Sequence, residues 1–512
     1  MSMCFLSILV VNGRSPLRII PLDMRESRIA FFVSALLLAG VVSSLAQSND
    51  AVMQEALKPA TPLQENLRVL TDEIGGRVPG APAMQKAIQW GVDAFKAAGA
   101  DSVHTEEFTI PTSWAEGATD VNVVAPVKFH VRAQSIAWGP PLKATTARVV
   151  DIGMGTAEEF AKAGDIAGAV VLAHSVVLKT WDDLFDEYYR APGIIDRAMK
   201  GKALAIAFTS SREHDVLYRH INAMHGEIDV IPQVLLARED SERIGRLLAH
   251  GEKVQMSISL PNKIGPPITT SNVVAELKGS ELPNEIVILG AHLDSWELGT
   301  GALDNGCNAA LVIDSLRAIK AGGVRPRRTI RFVLFSGEEE GLRGSLAYVT
   351  AHRNELDNVV AELVLDEGIG AIASFSTGGR KDVDAALAPM LQPFAQWKSS
   401  EVTNDATVGT DNYDFMLEGV PTLLPNQVEA NYLVNYHATS DTYDKVDFAQ
   451  LKKNEAMAAE LIFELANAPQ RIGPRLTRAQ VEATFPETHL DDQMKGFGLW
   501  EEWQNGTRGR KQ

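Results

Sequence analysis

Between residues 286 and 365 the chain alternates unbroken apolar runs with longer amphipathic stretches, and a histidine or an acid follows soon after each apolar run. Residues 286–291 are continuously apolar, as expected for a strand covered on both faces. Residues 308–321 then place Ala309, Val312, Ile313, Leu316 and Ile319 at helical spacing. A second strand is predicted over 330–336, a helix over 342–353 and a third strand over 363–365. Strands alternating with helices imply βαβ units and a largely parallel sheet with helices on both faces. Such sheets bind ligands outside the carboxyl ends of their strands. His292, the pair Glu338-Glu339 and Asp366 all fall at those ends.

The residue types gathered there suit metal-assisted hydrolysis. Two zinc ions sharing a carboxylate and a water supply a nucleophile and polarise a carbonyl. A carboxylate that is not a ligand then carries the proton to the leaving nitrogen. The chain offers His292 and His437 as terminal histidines and Asp304 as the bridge. Glu339 and Asp366 serve as terminal carboxylates and Glu338 as general base. Consecutive side chains diverge along the backbone, so Glu338 and Glu339 divide into a base and a ligand. Asp294, two residues past His292, is expected to accept the other imidazole N–H and set its tautomer. Asp411 and Tyr436 stand near the end of the set as candidate substrate contacts, an ordinary turn and a packing ring being the equal alternatives.

The rest of the chain divides around this centre. Residues 24–46 read as an export signal: Arg25 and Arg28, a short apolar core, and Ser44-Leu45-Ala46 as the cleavage site, with Met24 as the natural start. The core is shorter than the roughly 20 residues of a membrane span, so no stable membrane insertion is expected after cleavage and the product is periplasmic or secreted. Residues 47–115 form the first part of a catalytic domain, with helix over 55–100 stopped by Gly99 and a strand over 103–110. Residues 116–265 carry short Val/Ile/Ala runs broken by Gly and Pro, which read as a separate, smaller α/β module. It closes at Pro266-Pro267, residues 266–469 return to the catalytic domain, and 470–512 form an extension whose Trp500 and Trp503 dock on the body. Of two cysteines, Cys4 precedes the signal and Cys307 reads as a packing residue. His214, His220 and His225 share no helix face and no acid cluster, and read as a surface group. A net charge of −17 without clustered Lys and Arg argues against nucleic acid as a partner.

In His292-Leu-Asp294, Asp304-Asn305-Gly306, Glu338-Glu339-x-Gly341, Asp366-x-Gly368 and His437-x-x-x-Asp441-Thr442, the chain resembles the exported co-catalytic zinc exopeptidases related to carboxypeptidase Q (plasma glutamate carboxypeptidase) and the bacterial zinc aminopeptidases. Arg77-x-Pro-Gly80-x-Pro82 and Gly409-Thr410-Asp411 extend the likeness, which covers roughly residues 55–468. The resemblance implies the zinc exopeptidase fold, two Zn2+ per chain, and the same roles for the six residues. It implies a protease-associated domain at 116–265, which would cover the cleft or form a homodimer contact. It also implies a cis peptide bond after Asp304. Asn305 departs from the second acid that many relatives carry, and 470–512 match no part of the pattern.

The leading expectation is an exopeptidase acting on dipeptides or short peptides, with aminopeptidase specificity as the alternative. A mononuclear glutaminyl cyclase would lack one ligand group, and an inactive binding ectodomain would show losses among the six residues. None is lost. No Gly-x-Ser-x-Gly or His-Glu-x-x-His motif is present.

Overall fold

Eight strands form one mixed sheet, in the order Ser102–Ile110, Ile268–Leu277, Arg328–Phe335, Leu282–His292, Val359–Val364, Thr422–Gln427, Ile372–Ser376 and Glu401–Thr403. The computed structural model describes residues 51–511; the expected signal at 24–46, with Met24 and Cys4, lies outside them. The four strands from Arg328–Phe335 to Thr422–Gln427 run parallel, with antiparallel pairs toward the edges.

Leu282–His292 shows why the central run is unbroken. Val287, Leu289 and Ala291 pack with helices Pro82–Ala98, Cys307–Ala321 and Phe448–Asn467. Ile286 and Ile288, pointing the other way, pack with Tyr348, Val349 and Phe415 from Arg343–Ala351 and Asn412–Leu417. A strand with side-chain period two that is buried on both faces needs an apolar residue at every position. Each such side chain contributes about 1.5–3 kcal/mol on burial.

The 55–100 stretch is less continuous than its periodicity implies. Leu63–Arg68 runs into a wider turn at Val69–Ile74, and Pro82–Ala98 starts afresh. Gly75 and Gly80, both at positive φ, break the helix and leave Arg77 in irregular backbone between them. Gly99, at φ +94°, ends it.

A second eight-stranded sheet is built from strands between Asp120 and Leu260. Its strands Leu142–Asp151, Val170–Ala173, Ala205–Thr209 and Gln233–Leu236 run parallel over cores of their own. The chain leaves the first sheet after Ser102–Ile110 and returns in Ile268–Leu277, two strands that pair with each other. Just outside that pair, Ser113–Ala115 pairs with Lys263–Gly265. The module is thus hung from two adjacent antiparallel strands, so the first sheet keeps its order.

The last stretch folds into four short helices from Arg478–Glu482 to Trp500–Gln504. They pack with Tyr413, Met416 and Leu417, and bury Trp503. Among the described residues no helix is long and apolar enough to cross a membrane.

Candidate metal centre

Three parallel strand ends converge on the centre. His292 closes Leu282–His292, Glu338 and Glu339 follow Arg328–Phe335, and Asp366 follows Val359–Val364. Asp304 comes from the turn Ala302–Gly306 ahead of helix Cys307–Ala321, and His437 from the segment after Tyr432–Asn435. His292 Nε2 lies 3.1 Å from Asp304 Oδ1 and 3.0 Å from Asp366 Oδ1. His437 Nε2 lies 2.8 Å from Glu339 Oε2 and 3.3 Å from Asp304 Oδ2. The donors therefore sort into two groups, His292/Asp304/Asp366 and Asp304/Glu339/His437, and Asp304 offers one oxygen to each.

The donor set fits divalent cations. Asp304 Oδ2, with the His437 imidazole 3.3 Å away, and Glu339 Oε1 are buried without a hydrogen-bond partner, a costly state for carboxylate oxygens. Burial above all, with the surrounding acids adding to it, pushes the Glu338 and Glu339 carboxyls well above their ordinary range. Asp304 goes the other way, because against its burial the two imidazoles hold it low. His292, despite burial, is pushed well above the usual imidazole range by Asp366, Asp294 and Asp304. A bound divalent cation would favour the deprotonated form of each donor.

The supporting contacts differ in one respect from expectation. His292 Nδ1 faces the Asp294 backbone carbonyl at 3.0 Å, while the Asp294 carboxylate is 3.7 Å away. That carboxylate instead accepts the backbone N–H groups of Glu338 and Glu339, at 3.3 and 3.2 Å, and so sets the Glu-Glu turn. Gly341, at φ +98°, lets this turn pass under the module: a Cβ there would stand 2.1 Å from the Met224 carbonyl oxygen. The peptide bond between Asp304 and Asn305 is cis. Asn305 Nδ2 donates to the Leu365 carbonyl at 2.8 Å, so an amide at this position ties the Asp304 turn to the Asp366 strand.

Above the two groups lies a cavity of about 360 Å³. Glu338 and Tyr436 stand in its wall, and the Tyr436 ring stacks on His437 at 3.6 Å. Asp411 does not stand there; it is fully buried beneath the site, its carboxyl pushed up to about 8 by that burial. His220, expected at the surface, is also buried, against Tyr188 at 4.6 Å.

Several residues here escape a reading of the sequence. Asp441 accepts from three successive N–H groups, Ala302, Leu303 and Asp304, at 3.0, 2.7 and 3.2 Å. The fully buried Arg77 donates to the carbonyls of Leu293, Thr300 and Gly301. Both stood within recognised motifs, so their place was visible and their task was not. Phe185 and Tyr188 of helix Trp181–Lys200, and Phe497 of the extension, complete the cavity wall without any local signal.

Acids gathered this densely at strand ends beneath a cavity define a hydrolase that works through bound metal, and its relatives narrow the class to metallo-exopeptidases. Residues 272–462 match the family model for Peptidase family M28. It is 27% identical to carboxypeptidase Q of Rattus norvegicus over 417 residues, which cover 80% of this chain and 86% of the relative. A peptidase M28 precursor from Shewanella amazonensis has the same mixed α/β fold, with TM-score 0.77, 25% identity, and coverage of 84% of this chain and 99% of that one. BSAP, a zinc aminopeptidase from Bacillus subtilis, shares the fold at TM-score 0.64 and 19% identity, over 81% of this chain and 97% of its own.

Proposed function

We propose that this chain is an exported two-zinc exopeptidase that removes the first residue from dipeptides and short peptides with a free amino terminus. The observation that carries this reading is a pair of donor groups sharing Asp304 under a cavity whose wall bears Glu338, Glu367 and Asp405 but no Lys or Arg among the described residues. A free α-ammonium finds carboxylates there, whereas a free α-carboxylate finds no cationic side chain. About 360 Å³ lies at the small end of ligand pockets and suits one or two residues.

Imidazole and carboxylate donors without thiolates suit zinc. Bound zinc supplies an activated water and polarisation of the scissile carbonyl. Glu338, in the cavity wall, takes the proton from that water and delivers it to the leaving nitrogen. Asp294 holds the Glu338 backbone, and Asp441 and Arg77 hold the loop that brings Asp304 forward. In this reading the 116–265 module is a protease-associated domain whose helix Trp181–Lys200 lines the cavity with Leu184, Phe185 and Tyr188.

Zinc per chain, with cleavage of N-acetylated and C-amidated dipeptides, tests the reading. Two zincs, cleavage of the amide and resistance of the acetylated peptide are expected. The opposite blocking pattern would reverse the terminus, and one tightly held zinc would favour a cyclase. Export predicts a mature amino terminus at Gln47, read by N-terminal sequencing.

A further inference from the structure

We propose that the inserted module completes the metal centre, with Arg219 as the positioning residue for His437. This rests on the two-zinc reading above. The two donor groups are supported differently. His292 is oriented from within its own segment, by the Asp294 carbonyl. His437 is oriented from the module: its Nδ1 donates to the Arg219 carbonyl at 3.0 Å, and the Arg219 N–H donates back to the His437 carbonyl at 2.9 Å. A bridge between Tyr218 and Ala438 flanks this exchange. With Nδ1 carrying the proton, Nε2 presents its lone pair toward Glu339 and Asp304, which is how a partner of the remote nitrogen sets a ligand's tautomer. His437 sits at φ +57°, a conformation uncommon for a side chain with Cβ, so the surroundings must hold it.

The Arg219 side chain explains how its backbone is held. The guanidinium is fully buried; one Nη lies 2.7 Å from Glu116 Oε2 and also pairs with Glu297, and the other donates to the Ser135 carbonyl. Its face covers Trp114 at 5.3 Å. Glu116 and Ser135 belong to the base of the module, whereas Glu297 lies in the loop that runs on from His292. One side chain thus clamps the module to the catalytic loop, and its own carbonyl reaches a ligand. The His437 group depends on that clamp and the His292 group does not.

The test is zinc affinity, measured by competition with a chromophoric chelator on the full chain, beside thermal unfolding. Wild type is expected to titrate in two steps. Arg219→Gln is expected to weaken one step by about 10–100-fold, the usual cost of losing an outer partner of a ligand, and to leave the other unchanged. The retained step should match that of His437→Ala, and Arg219→Lys should recover part of the loss. Equal weakening of both steps, or of neither, overturns the proposal. If Arg219→Gln does not fold, Glu297→Gln, a partner with 38% of its side chain exposed, carries the same test: selective weakening supports the clamp and two unchanged steps overturn it. A single step in wild type would instead defeat the two-zinc reading itself.

Discussion

Asp441 illustrates how much one buried carboxylate organises here. Its two oxygens take three successive N–H groups leading into Asp304, and burial pushes its carboxyl up to about 7. Asp441→Ala leaves those donors unmet, and at about 1–3 kcal/mol for each buried unpaired group the chain should lose about 3 kcal/mol or more. Urea unfolding reads this directly; a loss below about 1 kcal/mol would show that the turn holds itself. Glu338→Gln makes the complementary statement. In the proposed assignment it removes the base but no ligand, so turnover should fall about 10²–10⁴-fold with zinc content unchanged. Loss of metal from this variant would exchange the roles of Glu338 and Glu339.

Among the elements, the tail and the module depend on individual ion pairs. Arg508 meets the Asp414 carboxylate at 2.7 and 2.8 Å with both side chains fully buried, fastening the extension to helix Asn412–Leu417. Arg508→Ala strands a buried charge and should cost about 3–5 kcal/mol in thermal unfolding. In the module, His174 Nε2 meets Asp151 Oδ2 at 2.9 Å, and this bond raises the His174 pKa above 6.5. A raised folded value means that the pair's contribution is complete below pH 6.5 and fades as pH rises through the folded pKa. Replacing His174 with Gln should therefore destabilise by about 1 kcal/mol at pH 6 and by little at pH 9. An equal effect at both pH values would point to packing instead. The elements carrying these pairs were unevenly legible. The strand Gln233–Leu236 falls within the 116–265 stretch of short apolar runs, and Val234, Leu235 and Leu236 are successive apolar residues because the strand is buried on both faces. Helix Trp181–Lys200 contains Pro192, which locally reads as a break, yet the helix continues because Ile194 and Ala198 beyond it pack into the core of the module.

At the level of the whole molecule, metal and fold should stabilise each other. The donor groups draw on residues from 292 to 437, so zinc binds the folded chain and not the unfolded one. Zinc at 100 times its dissociation constant should add about 2.7 kcal/mol, seen as a rise in Tm that a chelator reverses. No rise would mean that the groups do not hold zinc. The sequence by itself placed His292, Glu338, Glu339 and Asp366 at the ends of parallel strands, because each stands just past or at the end of an apolar run, whereas Asp304 and His437 were singled out by their motifs. The tertiary structure decided what holds them. The Arg219 carbonyl and His437 are 218 positions apart, and a backbone oxygen leaves no mark in a sequence. The cavity wall likewise joins the module, the sheet and the tail, whose contacts have no common period to reveal them.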